Sequence, residues 1–116
     1  MRILLPTGTA TAGIVKAAAE QFAGRHEMDV VATGEIAAYL SPRDLRRLLA
    51  SGDYDMVIVS GMCTASFAEV ERATGFPVYR GPRHAADLAL ILPMLDTITL
   101  SRTLPADEFL AERRRE

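Results

Sequence analysis

Gly81-Pro82-Arg83-His84-Ala85-Ala86-Asp87-Leu88 puts a guanidinium, an imidazole and a carboxylate just after a stiff Gly-Pro turn, where an apolar helix is expected to begin. Backbone N–H groups and the positive end of a helix dipole gather at such a point, so Arg83 and His84 there suit an anion. Asp87 lies one helical turn further on and can orient either of them. His84 itself has three readings: an acid or base, a ligand, or a helix-start residue bonded to a neighbouring loop. Cys63 follows the strongest strand of the chain. As a nucleophile it needs a cationic neighbour to favour the thiolate, and without one it is a small apolar filler. Thr7-Gly8-Thr9-Ala10-Thr11-Ala12-Gly13 offers hydroxyls but no P-loop lysine, and its glycines miss the dinucleotide spacing, so a tight strand-to-helix turn is the plainer reading. His26, in Arg25-His26-Glu27, is expected at the surface. Two distant histidines and one cysteine form no ligand cluster, so neither a metal nor a cofactor is expected. The first loop also lacks the Asp-x-His-x-x-Gly pattern of a corrinoid site.

Strands and helices alternate to position these groups. Ile3 to Pro6 reads as a strand, followed by a helix in which Ile14, Val15, Ala18, Ala19 and Phe22 recur at helical spacing up to Gly24. Met28 to Ala32 is the second strand. Ser41-Pro42 reads as an N-cap with proline in the first turn, Leu45, Leu48 and Leu49 face inward, and Ser51-Gly52 ends that helix. The run Tyr54 to Gly61 is the most secure strand, because Val57-Ile58-Val59 without alternation fits a central strand covered on both faces. Ser66 to Ala73 is expected to be the third helix, Phe76 to Tyr79 the fourth strand and His84 to Leu92 the fourth helix. That last helix is apolar all round, so Leu88 and Leu92 must be covered either by a second subunit or by the segment around Phe109 and Leu110. Asp96 to Leu100 either adds a strand or crosses an edge, and a short amphipathic helix follows it. The alternation predicts a small three-layer α/β domain, flavodoxin-like or Rossmann-like, with a parallel sheet in the order 2-1-3-4 over residues 1–96 and a C-terminal extension or linker helix over 97–116.

The 116 residues suffice for one domain with a real core, and a composition that is 49% apolar and 24% charged is that of a globular protein. A net charge of −2 creates no field that would gather nucleic acid or an acidic membrane. The single cysteine and the early Pro6 and Gly8 argue against an internal disulfide and a secretory leader, so a reducing cytoplasm is expected. The terminal Glu112-Arg113-Arg114-Arg115-Glu116 mixes charges as a solvated helix end does.

Three stretches carry a family resemblance: Asp53 to Cys63, Gly81 to Leu88, and Leu100-Ser101-Arg102-Thr103-Leu104-Pro105-Ala106-Asp107-Glu108. Together they resemble the N-terminal domain of dihydropteroate synthase-like proteins of microbes that make tetrahydromethanopterin. The resemblance implies an accessory, non-catalytic domain in pterin and one-carbon metabolism, partnered by a C-terminal pteroate synthase-like barrel or by further copies of itself. The pterin-binding motifs belong to that barrel, so no catalytic residue transfers to this chain.

From the residues alone, ligands of an open α/β sheet bind beyond the carboxyl ends of its strands. The loops Thr7 to Gly13, Ser60 to Ser66 and Gly81 to His84 should meet there. The expected site is a pocket for a small phosphate- or carboxylate-bearing ligand, lined by Ser60, Cys63, Arg83 and His84, with Thr7 and Gly8 on the floor and Asp87 behind. The alternative is a stand-alone small hydrolase or transferase using Cys63 or His84.

Overall fold

The computed structural model describes residues 2–22, 26–34, 40–50, 52–95 and 98–115, with side chains to residue 111 in the last stretch. Gly24, Arg25, Ser51, the proposed boundary at 96/97 and the Glu112–Glu116 side chains lie outside the described residues. The chain runs β1 (Arg2–Thr7), α1 (Ala12–Gln21), β2 (Glu27–Ala32), α2 (Pro42–Ala50), β3 (Met56–Val59), α3 (Ala68–Thr74), β4 (Val78–Arg80), α4 (Leu88–Ile91) and α5 (Ala106–Arg115). The four strands form one parallel sheet in the order β2-β1-β3-β4, the flavodoxin-like or Rossmann-like arrangement.

Parity along the strands divides the core into two layers. Ile3, Leu5 and Ile58 face a cluster with Val15, Ala18 and Ala19 of α1, and with Leu88, Ile91 and Leu92. Leu4, Val57 and Val59 face the other cluster, with Leu45 and Leu49 of α2 and Val70 of α3. β3 is thus central and covered on both sides, as its unbroken apolar run requires. Its ladder is short. Burial of Val57, Ile58 and Val59, each contributing about 1.5–3 kcal/mol, holds it in place.

Local chemistry sets the ends of several elements. The Ser41 hydroxyl accepts the Asp44 N–H at 3.2 Å and caps α2, with Pro42 in the first turn. Gly75 ends α3 in the left-handed conformation at φ 78°. β4 begins two residues later than expected because Pro77 has no N–H to give a ladder, although its carbonyl accepts from Val57 at 2.9 Å.

The expected helix from His84 to Leu92 is broken. Ala85–Asp87 is a 3-10 turn, Leu88–Ile91 a single α-turn, and Leu92–Met94 a second 3-10 turn. Pro93 cannot donate to Ala89, and its ring crowds that carbonyl, so no regular helix passes through it. Leu88 and Leu92 are nevertheless buried. They share a cluster with Leu100 and Ala106, against which Phe109 and Leu110 pack, so the C-terminal segment covers this face. Leu90 remains 68% exposed. Residues 98–100 run past the edge without forming a strand, and the Ser101 carbonyl accepts the Arg80 N–H at 2.8 Å.

Two side chains depart from expectation. Ile14 is 48% exposed, because Val15, Ala18 and Ala19 take the inner face of α1. His26 is buried, and its N–H donates to the Phe22 carbonyl at 3.3 Å.

Candidate functional site

The sheet order reverses between β1 and β3, and a cleft of about 250 Å³ opens there at the carboxyl ends of the strands. All three expected loops reach it. β1 and its loop contribute Leu5, Thr7 and Thr11, β3 and the loop after it contribute Ile58 and Ser60, and the turn after β4 contributes Gly81, Pro82 and Arg83.

The first loop is fixed by hydrogen bonds within itself and to the residues just after β2. The Thr7 and Thr11 hydroxyls lie 2.8 Å apart, and the Thr9 N–H donates to the Gly34 carbonyl at 2.7 Å. The second and third loops pack backbone against backbone. Gly61 N–H donates to the Pro82 carbonyl at 3.2 Å, and Gly81 N–H to the Val59 carbonyl at 2.8 Å. A Cβ at Gly61 would collide with the Gly81 carbonyl oxygen and lie 2.8 Å from the Arg83 nitrogen, so this close approach requires glycine. Ser60 turns its oxygen to the Met62 N–H at 3.2 Å. The cleft is thus lined mainly by apolar side chains, with the hydroxyls of Thr7, Thr11 and Ser60 among them.

Of the expected site residues, Thr7, Ser60 and Arg83 line the cleft, whereas Gly8, Cys63, His84 and Asp87 do not. Cys63 is buried in the opposite layer with Leu40 and Phe67, because the turn at Gly61-Met62 carries the chain around the end of the sheet. Burial pushes its thiol above the ordinary range, outweighing the nearby positive charge of Arg80. His84 is exposed, and its carbonyl accepts the Asp87 N–H at 3.0 Å to close the 3-10 turn.

Arg83 takes a different carboxylate from the one expected. Its Nε and Nη2 both lie 2.7 Å from Asp107 Oδ2, its backbone N–H donates to Oδ1 at 3.1 Å, and Nη1 lies 3.2 Å from Glu108. Ala106 N–H adds a bond to the Gly81 carbonyl at 2.9 Å. Burial alone would raise the Asp107 carboxyl, but the Arg83 side chain and backbone outweigh it and hold the carboxyl below its ordinary value. The same bond raises the Arg83 pKa. The first turn of α5 is thereby latched to the rim of the cleft.

Sequence reasoning missed Arg80. This guanidinium is 6% exposed and donates through Nε to the Arg102 carbonyl at 3.2 Å, through Nη1 to the Cys63 carbonyl at 2.7 Å, and through Nη2 to the Ala65 carbonyl. Its carbon lies 5.3 Å from the centre of the Phe67 ring. One side chain thus ties the loop after β3 to the segment after α4. The only trace of it in the sequence is a cation at the end of an otherwise apolar strand.

No family model matches the chain, and no solved structure does. It is 31% identical over 123 residues to Uncharacterized protein MJ0107 of Methanocaldococcus jannaschii, an alignment that takes in 97% of this chain and 23% of that protein. The chain therefore spans less than a quarter of the length of the relative it matches. Among the described residues no group of three or more His, Cys, Asp or Glu could hold a metal ion, and no helix is long and apolar enough to cross a membrane.

Proposed function

We propose that this chain is a non-catalytic accessory domain of a dihydropteroate synthase-like protein in tetrahydromethanopterin metabolism. It contacts a pteroate synthase-like barrel or another copy of itself, and it holds a small ligand in the cleft between β1, β3 and the turn after β4. The observation that carries this reading is the meeting of its two most distinctive stretches. Gly81 to Leu88 and Leu100 to Glu108 join through Arg83, Asp107, Glu108 and the Gly81–Ala106 backbone bond. Residues that carry the resemblance thus build a scaffold and a latch. The alignment of nearly the whole chain with one part of a much longer relative also supports a domain working beside others.

The rival reading, a small hydrolase or transferase using Cys63 or His84, draws no support from the geometry. Cys63 lies in the layer opposite the cleft, and its thiol is pushed toward the neutral form.

Calorimetric titration of the chain with a separately expressed pteroate synthase-like barrel tests the contact, and titration with pterins tests the cleft, in wild type and Arg83→Ala. Saturable complex formation, and ligand binding lost in a mutant that still melts cooperatively, are expected. Failure to bind the barrel together with turnover of a pterin by the isolated chain would overturn the reading.

A further inference from the structure

A second concavity, about 900 Å³ and broadly open, lies beside α3 and β4, apart from the cleft. Arg72, Arg80 and Arg102 all line it, against the single carboxylate of Glu71, with the hydroxyls of Ser66 and Thr103 beside them. Three guanidiniums against one carboxylate leave a local excess of two positive charges in a chain whose net charge is −2.

The three cations are held differently. Arg80 is buried, its hydrogen bonds among the described residues all go to carbonyls, and these three bonds use three of the five N–H donors of a guanidinium. Arg102 is braced by the Tyr79 ring at 5.7 Å and by Glu71 at 3.1 Å, so its fork is already positioned. Arg72 is exposed and makes no ion pair among the described residues. Arg83 at the cleft contrasts with all three, because two carboxylates already neutralise it.

We propose that this groove binds a small phosphate-bearing ligand, with Arg72 and Arg102 taking the phosphate oxygens and Arg80 supplying fixed positive charge beneath them. An excess of two charges matches a phosphate dianion better than a carboxylate, and planar guanidinium forks bind phosphate oxygens in pairs. Glu71 occupies Arg102 internally and so competes with the ligand. The groove shares no lining residue with the cleft.

Calorimetric titration with inorganic phosphate and with glycerol 3-phosphate, against acetate at equal ionic strength, tests the proposal. Saturable binding of the phosphates but not of acetate is expected. Arg72→Gln, an exposed change that leaves the core intact, should weaken it roughly tenfold, the order expected for losing a charged hydrogen bond. Glu71→Gln should tighten it, a gain that general destabilisation cannot produce, while Arg83→Gln should leave it unchanged. Tighter binding of the ester identifies an organic phosphate as the ligand, and equal binding identifies phosphate itself. Absence of saturable phosphate binding, indifference to both Arg72→Gln and Glu71→Gln, or loss of binding in Arg83→Gln would each overturn the assignment.

Discussion

Arg80 and Arg83 stand on either side of Gly81-Pro82, yet one lies 6% exposed among carbonyl oxygens while the other sits in solvent between two carboxylates. The partners decide what each can do. Carbonyls held by a loop depend on the guanidinium as much as it depends on them, since buried acceptors left without a donor are costly. Exposed carboxylates can return to water at little loss. Arg80 therefore belongs to the stability of the fold, whereas Arg83 adds a weaker tie to a segment that Leu100 and Ala106 already anchor in the core.

The largest expected effect breaks the comparison from the buried side. Arg80→Met should cost about 3 kcal/mol or more in urea unfolding, because three carbonyls lose their donor together. Arg80→Lys should recover little of this, since one ammonium cannot span the positions a planar fork reaches. If Arg80→Met were no worse than Arg83→Met, the two residues would not differ in kind.

Gly61→Ala strikes where the loop after β3 touches the Gly81-Pro82 turn that separates the two arginines. Its new methyl meets the Gly81 carbonyl and the Arg83 nitrogen, neither of which is a flexible side chain, so a loss of about 1–3 kcal/mol is expected. Thermal melts of this variant and of Gly13→Ala, where a Cβ meets nothing within 4 Å, provide the matched pair.

Arg83 should give a smaller effect that follows pH. Because the Asp107 carboxyl is lowered in the folded chain, its contribution is present above the unfolded value, about 4, and fades as pH falls below it. Asp107→Asn should therefore lower the melting temperature slightly at neutral pH and not at all in acid. A difference that persists undiminished at pH 2 would contradict the latch.

Cys63 offers the mildest test. With its thiol buried and raised, alkylation at neutral pH should be slow in the folded chain and fast in urea. Equal rates would return Cys63 to the candidates for chemistry.

The sheet was legible because Val57-Ile58-Val59 and the other apolar stretches, alternating with helices, admit few arrangements of a parallel sheet. The site was legible in outline, since strand ends fix which loops converge. Its side chains were not. Cys63 lies beyond a turn, where strand parity no longer says which layer a residue enters. Asp107 rather than Asp87 meets Arg83 because a return of the chain across 24 positions supplies it, a contact that no local spacing records. Arg80 binds backbone carbonyls, which carry no residue-type signal, so no motif could announce it.

Ala106 is fully buried in the layer that also holds Ile3, and its N–H is the one that meets the Gly81 carbonyl. During synthesis α1 and the turns at 88–92 can cover most of that face early, but the part closed by Leu100 and Ala106 waits until residue 106 has left the ribosome. Until then the apolar surface that the C-terminal segment covers beside Leu88 and Leu92 stays open, and such a surface invites association with neighbouring nascent chains. In a longer protein, whatever follows this segment would already be under synthesis when the domain first closes.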